Sequence, residues 1–439
     1  MSRNTMIGRR SFLKASTATA AGLILSHSGV WAAQSREKPV RLGCVGVGRR
    51  GTGLLKVLLT MDDVDVPAVC DIDRAAAEQA QSLIAQSGRS KPETYVRGEE
   101  DYKRLMDRDD LDGVIIATPW RWHTPMAVHA MKARKYAGVE VPCAVTLDQC
   151  WELVRTHEAT GVPCMMLENW SFRRDNLAVL NMIRKGLFGE IVHCHCAHSH
   201  NCVHEWYFDA KGALRWGGEE LLRRNADQYP THSLGPVLSW MDINCGDRFD
   251  HLVSMASRSL GIKDQLERRY GKDHPTAKLA YRQGDLVTTM IKTVKGNTIV
   301  VAMDMQLPRP YDNRWQIQGT RGLYNEQRNA VFIADVDGKP EQWEPFGPYQ
   351  KKYDHSFWKA MPKQTLQNHD GADVTTLQQF VRAIRAKTQT PIDVYDSVVM
   401  SVVFPLSEQS IAAGSTPVTC PDFTQGKWKT AKPRFAVES

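Results

Sequence analysis

From residue 40 to residue 168 the chain alternates short, continuous apolar runs with segments of helical period. VRLGCVGVG (40–48) is apolar with Gly43 inside it, and Gly51-Thr52-Gly53 opens the helical pattern LLKVLL. VDVPAVCDID and LDGVIIATP (111–119) are two further apolar runs that end in turns. Runs this short and unbroken predict strands of a parallel sheet buried on both faces, with helical crossovers between them. After Asn169 the runs lengthen: EIVHCHCAHSH (190–200), HLVSMASRS (251–259), and DLVTTMIKTV joined to NTIVVAMDM by a hairpin around Lys295-Gly296. NRWQIQGTRG and AVFIADVDG follow, which predicts a large, mainly antiparallel sheet. Helices are expected over about 372–387 and 395–413, with the polar stretch MPKQTLQNHDGAD before them as a loop. No internal repeat or low-complexity linker interrupts the pattern.

At 439 residues the chain exceeds what one core usually supports, so two domains are expected, 38–168 and 169–439, behind a leader at 1–33. The leader carries Gly8-Arg9-Arg10-Ser11-Phe12-Leu13-Lys14, a twin-arginine export pattern, followed by a weakly apolar Ala15–Leu25 and small residues around Val30-Trp31-Ala32-Ala33. That apolar run falls well short of the ~20 residues a membrane span needs. Removing Arg3, Arg9, Arg10 and Lys14 brings the formal charge from +7 to 7 − 4 = +3, too little to argue for a nucleic-acid partner. An exported, periplasmic protein is the expectation. Its ten cysteines do not read as a disulfide framework, because Cys44, Cys70 and Cys164 fall in predicted buried strands, where cysteine serves as a small hydrophobe.

Gly46, Gly48 and Gly51 form G-x-G-x-x-G between a strand and a helix, and Asp71 ends the second strand twenty residues beyond Gly51. Glycines let the backbone approach a pyrophosphate, the helix N-terminus attracts its charge, and Asp71 accepts from a ribose 2′-hydroxyl. The first domain therefore reads as a Rossmann dinucleotide-binding domain. Asp71 favours NAD over NADP by repelling a 2′-phosphate, although Arg49, Arg50 and Arg74 lie near.

The order of this turn, CDID, IIATPWRWHTPMAVHAM, the E-V-P step, TLDQCWELV and GVPCMMLEN resembles the Gfo/Idh/MocA oxidoreductase superfamily. Most members read E-K-P where this chain has Glu140-Val141-Pro142, and their lysine serves hydride transfer. ENWSFRRDNLAVLNMIRKGLFGEIVH, ELLRRNADQYPTHSLGPV and RPYDNRWQIQGTRG are similar to glycoside hydrolase family 109, the branch lacking that lysine, with Tyr229-Pro230-Thr231-His232 as the most specific motif. The resemblance implies a glycosidase acting on an N-acetylhexosaminide, with α-N-acetylgalactosaminide as first choice. The implied route is transient NAD-dependent oxidation at C3, elimination, water addition and re-reduction. Such a cycle needs no external nicotinamide, so the NAD is expected to be tightly bound and regenerated within each turnover. A cis Val141-Pro142 bond and pairing of two copies through an open sheet are further features the superfamily implies.

Residue roles also follow from the resemblance. His232 is the first choice for acid/base work, since imidazole titrates near neutral pH, with Tyr229 and Glu140 as further catalytic candidates. Gly46, Gly48, Arg49, Arg50, Gly51, Asp71, Trp120, His123, Glu140, Val141 and Asn169 are expected at the cofactor. His198, Tyr229, Pro230, Thr231, His232 and Tyr311 are expected at the substrate. Phe172 and His198 stand where family members carry tyrosines, and Gly217 where they carry an arginine. Residues 193–204 hold five histidines and three cysteines, with Cys194, Cys196, His198 and His200 on one face of a strand. Same-face side chains on one straight strand diverge, so no metal is expected there, and His198 and His200 are assigned to the substrate site. The rival is an exported NAD(P)-dependent sugar oxidoreductase, which should keep a lysine at position 141; a non-catalytic binding protein would leave the Tyr229–His232 motif without a purpose.

Overall fold

The computed structural model describes residues 38–334, 341–359 and 371–438. The twin-arginine leader and most of the MPKQTLQNHDGAD loop lie outside the described residues. The first sheet contains β1 (Val40–Val45), β2 (Val64–Cys70), β3 (Glu93–Tyr95), β4 (Gly113–Ile116), β5 (Tyr136–Val139) and β6 (Cys164–Met166). All pairs are parallel, in the order β3-β2-β1-β4-β5-β6. Leu42, Val66, Val114, Ile116 and Val139 are fully buried, as a sheet covered by helices on both faces requires. Strand order reverses between β1 and β4, and ligands bind outside the carboxyl ends of the strands at such a switch point.

The second sheet is built from β7 (Ile191–Ser199), β8 (Phe249–Ala256), β9 (Val287–Thr293), β10 (Thr298–Asp304), β11 (Gln316–Gly319), β12 (Gly322–Asn325), β13 (Ala330–Ile333), β14 (Glu344–Pro345) and β15 (Val418–Thr419). Its order is β14-β13-β12-β11-β7-β10-β9-β8-β15, antiparallel throughout except for β7 beside β10. The α/β class with a Rossmann sheet and a mainly antiparallel second sheet is thus observed. All ten cysteines are free thiols. Cys194 and Cys196 point into the core, whereas His193 and His195 stay half-buried on the other face of β7. Among the described residues no group of three or more His, Cys, Asp or Glu is arranged to hold a metal, and no helix is long and apolar enough to cross a membrane.

Two C-terminal helices fasten the two sheets together, so that the described residues from Val40 onward pack as one unit. Helix Ala372–Ala386 turns back onto the first sheet, where Phe380 and Ile384 fill the space left by Gly138 and Gly113. Helix Val394–Ala412 is apolar on every side and correspondingly buried. Its serines dock separate segments through backbone amides. Ser397 Oγ accepts from Met166 N, Ser401 Oγ from Cys143 N, Ser407 Oγ from Asp227 N and Ser410 Oγ from Ser254 N. One helix therefore fixes the end of β6, the turn after Pro142, the approach to the Tyr229–His232 motif and β8, satisfying amides that would otherwise be buried unpaired.

Candidate active site

The dinucleotide cradle is assembled as the glycine spacing demands. Gly46 adopts φ +80°, and a Cβ there would lie 2.6 Å from the Ala117 carbonyl oxygen. A Cβ on Gly51 would lie 1.8 Å from the Gly46 carbonyl oxygen, whereas one on Gly48 would meet no atom within 4 Å. Gly46 and Gly51 thus close the turn, and Gly48 leaves open space at the start of helix Arg49–Leu58, whose N-terminus has no side-chain cap. Amides left open beside a glycine surface suit an anionic diphosphate. Asp71 braces the turn from the second strand: its carboxylate accepts from Val47 N at 2.8 Å and from Asp73 N at 2.9 Å. Asp71→Ala is expected to weaken NAD roughly tenfold or more, in line with ~1.5–3 kcal/mol for a hydrogen bond to a charged group; titration of stripped protein with NAD measures it, and unchanged affinity would refute the role.

Behind the cradle, Arg50 joins three distant segments. Its Nε donates to Glu140 at 2.6 Å, and its two terminal nitrogens donate to Asp373 at 2.8 and 2.9 Å. Asp373 also accepts from Asn169 Nδ2 at 2.8 Å, while Asn169 Oδ1 is buried with no hydrogen-bond partner. Burial alone would lower the Arg50 pKa, but Glu140 and Asp373 hold it above the ordinary arginine range. Val141 is buried, and the Val141-Pro142 bond is cis. His123 is buried with its two ring nitrogens 2.7 Å from the Pro142 and Thr118 carbonyl oxygens, so it braces the two turns that face the cradle. The orphaned Asn169 oxygen, the open Gly48 surface and the uncapped helix together fit a bound dinucleotide held by Gly46–Gly51, Asp71 and Asn169.

Opposite this half stands the Tyr229–His232 motif. Pro230 begins helix Pro230–Trp240, a position that needs no amide, and this places His232 in the first turn. His232 Nδ1 lies 2.7 Å from Glu168 Oε2, and its Nε2 lies 3.4 Å from the Tyr229 hydroxyl. Burial, reinforced by Glu140 and Glu168, pushes the Tyr229 phenol well above its ordinary range, so it remains a neutral hydroxyl. His198, from β7, is buried with ring centroids 5.1 Å from both Tyr229 and His232 and 5.5 Å from Tyr311. Burial, and then His232 and His200, drive its pKa well down, so it is a neutral imidazole whose Nδ1 has no hydrogen-bond partner. Trp170 lies 5.9 Å from both His232 and Tyr311, and His200 lies 5.2 Å from Tyr311. Trp120 stacks on Tyr229 at 6.0 Å and meets Trp206 and Trp216 edge-on.

The structure therefore gathers His198, Tyr229, His232 and Tyr311 into one group, with Thr231 Oγ1 buried and unpartnered beside them. Arg50, Glu140 and Asn169 form a second group. The departures from the family pattern have local explanations. Phe172 is buried against Phe435 at 4.9 Å, and Trp206 packs so closely on Gly217 that a Cβ there would lie 3.1 Å from its indole nitrogen. Three site residues escaped the sequence reading. Glu168 had a usable signal, since it follows β6 at the carboxyl end of a strand. Asp373, in the first turn of the helix expected over about 372–387, reaches Asn169 across 204 residues of chain with no local mark. Asn313 faces His198 and Tyr311 with both amide atoms buried and lacking a well-formed hydrogen bond.

Residues 40–168 match the oxidoreductase family with an NAD-binding Rossmann fold, and residues 172–430 match the C-terminal domain of glycosyl hydrolase 109. A glycosyl hydrolase family 109 protein of Stenotrophomonas maltophilia is 39% identical over 98% of this chain and 98% of its own. An alpha-N-acetylgalactosaminidase of Tannerella forsythia is 39% identical over 98% of this chain and 99% of its own. In fold, the chain is similar to the crystal structure of a myo-inositol dehydrogenase from Lactobacillus casei in complex with NAD(H) and myo-inositol, with a TM-score of 0.60 at 15% identity, covering 88% of this chain and 97% of that one.

Proposed function

The chain belongs to the glycosyl hydrolase 109 family and carries an NAD-binding Rossmann domain, and on that premise we propose that it hydrolyses an N-acetylhexosaminide, an α-N-acetylgalactosaminide first, by an NAD-dependent route without net redox change. The observation that carries this reading is the separation of two features. A buried, non-ionisable Val141 occupies the step after Glu140, and His232 stands elsewhere in the site with the Tyr229 hydroxyl 3.4 Å from its Nε2, which supports His232 as the proton-transfer group. NAD, when bound, supplies a reversible acceptor for the C3 hydrogen, which renders the C2 proton acidic and lets the C1 substituent leave before water adds. The chain's own residues hold and move protons around that event. His232 Nε2 takes and returns a substrate proton, neutral Tyr229 donates a hydrogen bond to a substrate oxygen, and neutral His198 with Tyr311 and Thr231 orients the ring. Arg50 fixes Glu140 and Asp373 in place through its three hydrogen bonds, and Asp373 in turn holds Asn169 toward the cofactor. The twin-arginine leader fits export of the folded protein with its NAD in place, and we read the protein as periplasmic.

Isotope exchange tests the route. An aryl N-acetylhexosaminide carrying deuterium at C2, hydrolysed in ordinary water, is expected to lose the label at C2 and to retain the hydrogen at C3. Direct displacement would leave C2 untouched. Full retention of deuterium at C2, with turnover intact in NAD-free protein, would remove this reading.

A further inference from the structure

We propose that Glu168 is the positioning residue for His232: its buried carboxylate accepts the Nδ1 proton, which leaves the Nε2 lone pair facing the site and makes Nε2 the atom that takes the substrate proton. Glu168 lies just beyond β6, against the motif helix, and is fully buried. Both its oxygens are committed. Oε2 meets His232 Nδ1 at 2.7 Å, and Oε1 accepts from Trp170 N at 2.8 Å. Gly235, one turn beyond His232 on the same helix, presses against it so closely that a Cβ there would lie 2.8 Å from Glu168 Cγ and 2.9 Å from Oε1. The close approach of Gly235 and the hydrogen bonds on both oxygens hold the carboxyl group in this orientation.

An ionised carboxylate can only accept, so a neutral imidazole beside it must place its one proton on Nδ1. The opposite ring edge then presents a bare Nε2 toward Tyr229. When Nε2 gains a proton the ring becomes imidazolium, with the Glu168 charge against it, and returning that proton restores the starting pair. The groups that bear on this balance come from several elements: Tyr229 from the motif helix's own cap, His198 from β7 with His200 beyond it, and Glu140, Asp373 and Arg50 around Glu168. Burial raises the Glu168 pKa well above the carboxylate range, with Glu140 and Asp373 adding and the Trp170 amide and Arg50 opposing. Burial thus works against ionising Glu168, while the Trp170 amide and Arg50 work for it. In its ionised form the Glu168 charge favours the imidazolium, so the base form of His232 is lost at a higher pH than it would be without that carboxylate.

The activity arm of the test rests on the glycosidase reading; the spectroscopic arm does not. In Glu168→Gln the Trp170 amide still requires an acceptor, so the amide oxygen stays there and the NH₂ faces Nδ1, forcing the proton onto Nε2. The expected results are turnover of an aryl N-acetylhexosaminide lowered by about 10²-fold, a low-pH limb of kcat/KM displaced to lower pH, and NAD still bound. ¹⁵N-histidine spectra of the NAD-loaded protein should show His232 as the Nδ1–H tautomer in the wild type and as Nε2–H in the variant, with His232→Ala supplying the assignment. Glu168→Asp, which keeps the carboxylate, should recover part of the loss. A wild-type Nε2–H tautomer, or wild-type turnover and pH profile in Glu168→Gln, would overturn the proposal. A tautomer switch in a protein that cleaves no glycoside would uphold the positioning role and defeat the glycosidase reading. Should Glu168→Gln fail to fold, the wild-type spectrum alone decides.

Discussion

Replacing His232 by alanine is expected to lower glycoside turnover by about 10²–10⁴, the range for loss of a general acid or base, while NAD remains bound. His232 has a carboxylate on one ring nitrogen and a hydroxyl near the other. His198, 5.1 Å away, cannot replace it, because burial holds that ring neutral and weakly basic. The cradle is built by Gly46–Gly51 and Asp71 on the first sheet and His232 by the motif helix, so mass spectrometry of the purified variant should still find NAD. The substitution leaves Glu168 buried without its ring partner. Its folded pKa is already raised above the unfolded value, so the stability that its protonated form contributes is present at low pH and lost as pH rises through the folded pKa. The variant should therefore melt closest to wild type in acid and fall further below it in base. Wild-type turnover in His232→Ala would eliminate the histidine as the proton-transfer group.

Gly51→Ala is expected to abolish stoichiometric NAD binding and to destabilise the fold by about 1–3 kcal/mol, as for other overpacked sites. The new methyl would sit 1.8 Å from the Gly46 carbonyl oxygen, a backbone atom that no side-chain rotation can move. Gly46 has no freedom to yield, since its left-handed backbone is itself packed against Ala117. Gly48→Ala separates the two effects. Nothing lies within 4 Å of its added Cβ, so thermal melting should stay near wild type while NAD binding weakens, because that methyl projects into the space reserved for the ligand. Equal NAD content in the wild type and both variants would show that the turn does not hold the cofactor.

Much of this protein is local enough to be read along the chain. The glycine turn, the Asp71 strand end and the continuous apolar runs specify a parallel dinucleotide-binding sheet, because period, turn chemistry and helix dipole act over a few residues. The His193–His204 segment also resolved by period: Cys194 and Cys196 face the core, and His198 enters the site from the same face. The lengths and alternation of the later strands gave the second sheet its mainly antiparallel character, although the parallel pairing of β7 with β10 joins strands about a hundred residues apart and left no mark on the pattern.

Tertiary packing decided the rest. Glu140 and Val141 could be placed at a site from a motif, but that Glu140 is bound to Arg50, and Arg50 to Asp373, depends on helix Ala372–Ala386 returning to the first sheet. The serines of helix Val394–Ala412 look in sequence like polar interruptions of an apolar helix, and only folding shows each one accepting a backbone amide from a different segment. Glu168 became a partner for His232 because the segment after β6 and the motif helix, with the two residues 64 positions apart, meet at Gly235, where any side chain would strike the carboxyl group. The sequence by itself thus determined the classes of element and the cofactor cradle, whose interactions are short-range in the chain. Which buried charge faces which was determined only by three-dimensional packing, since electrostatic and steric interactions act through space and carry no record of the separation between their partners along the chain.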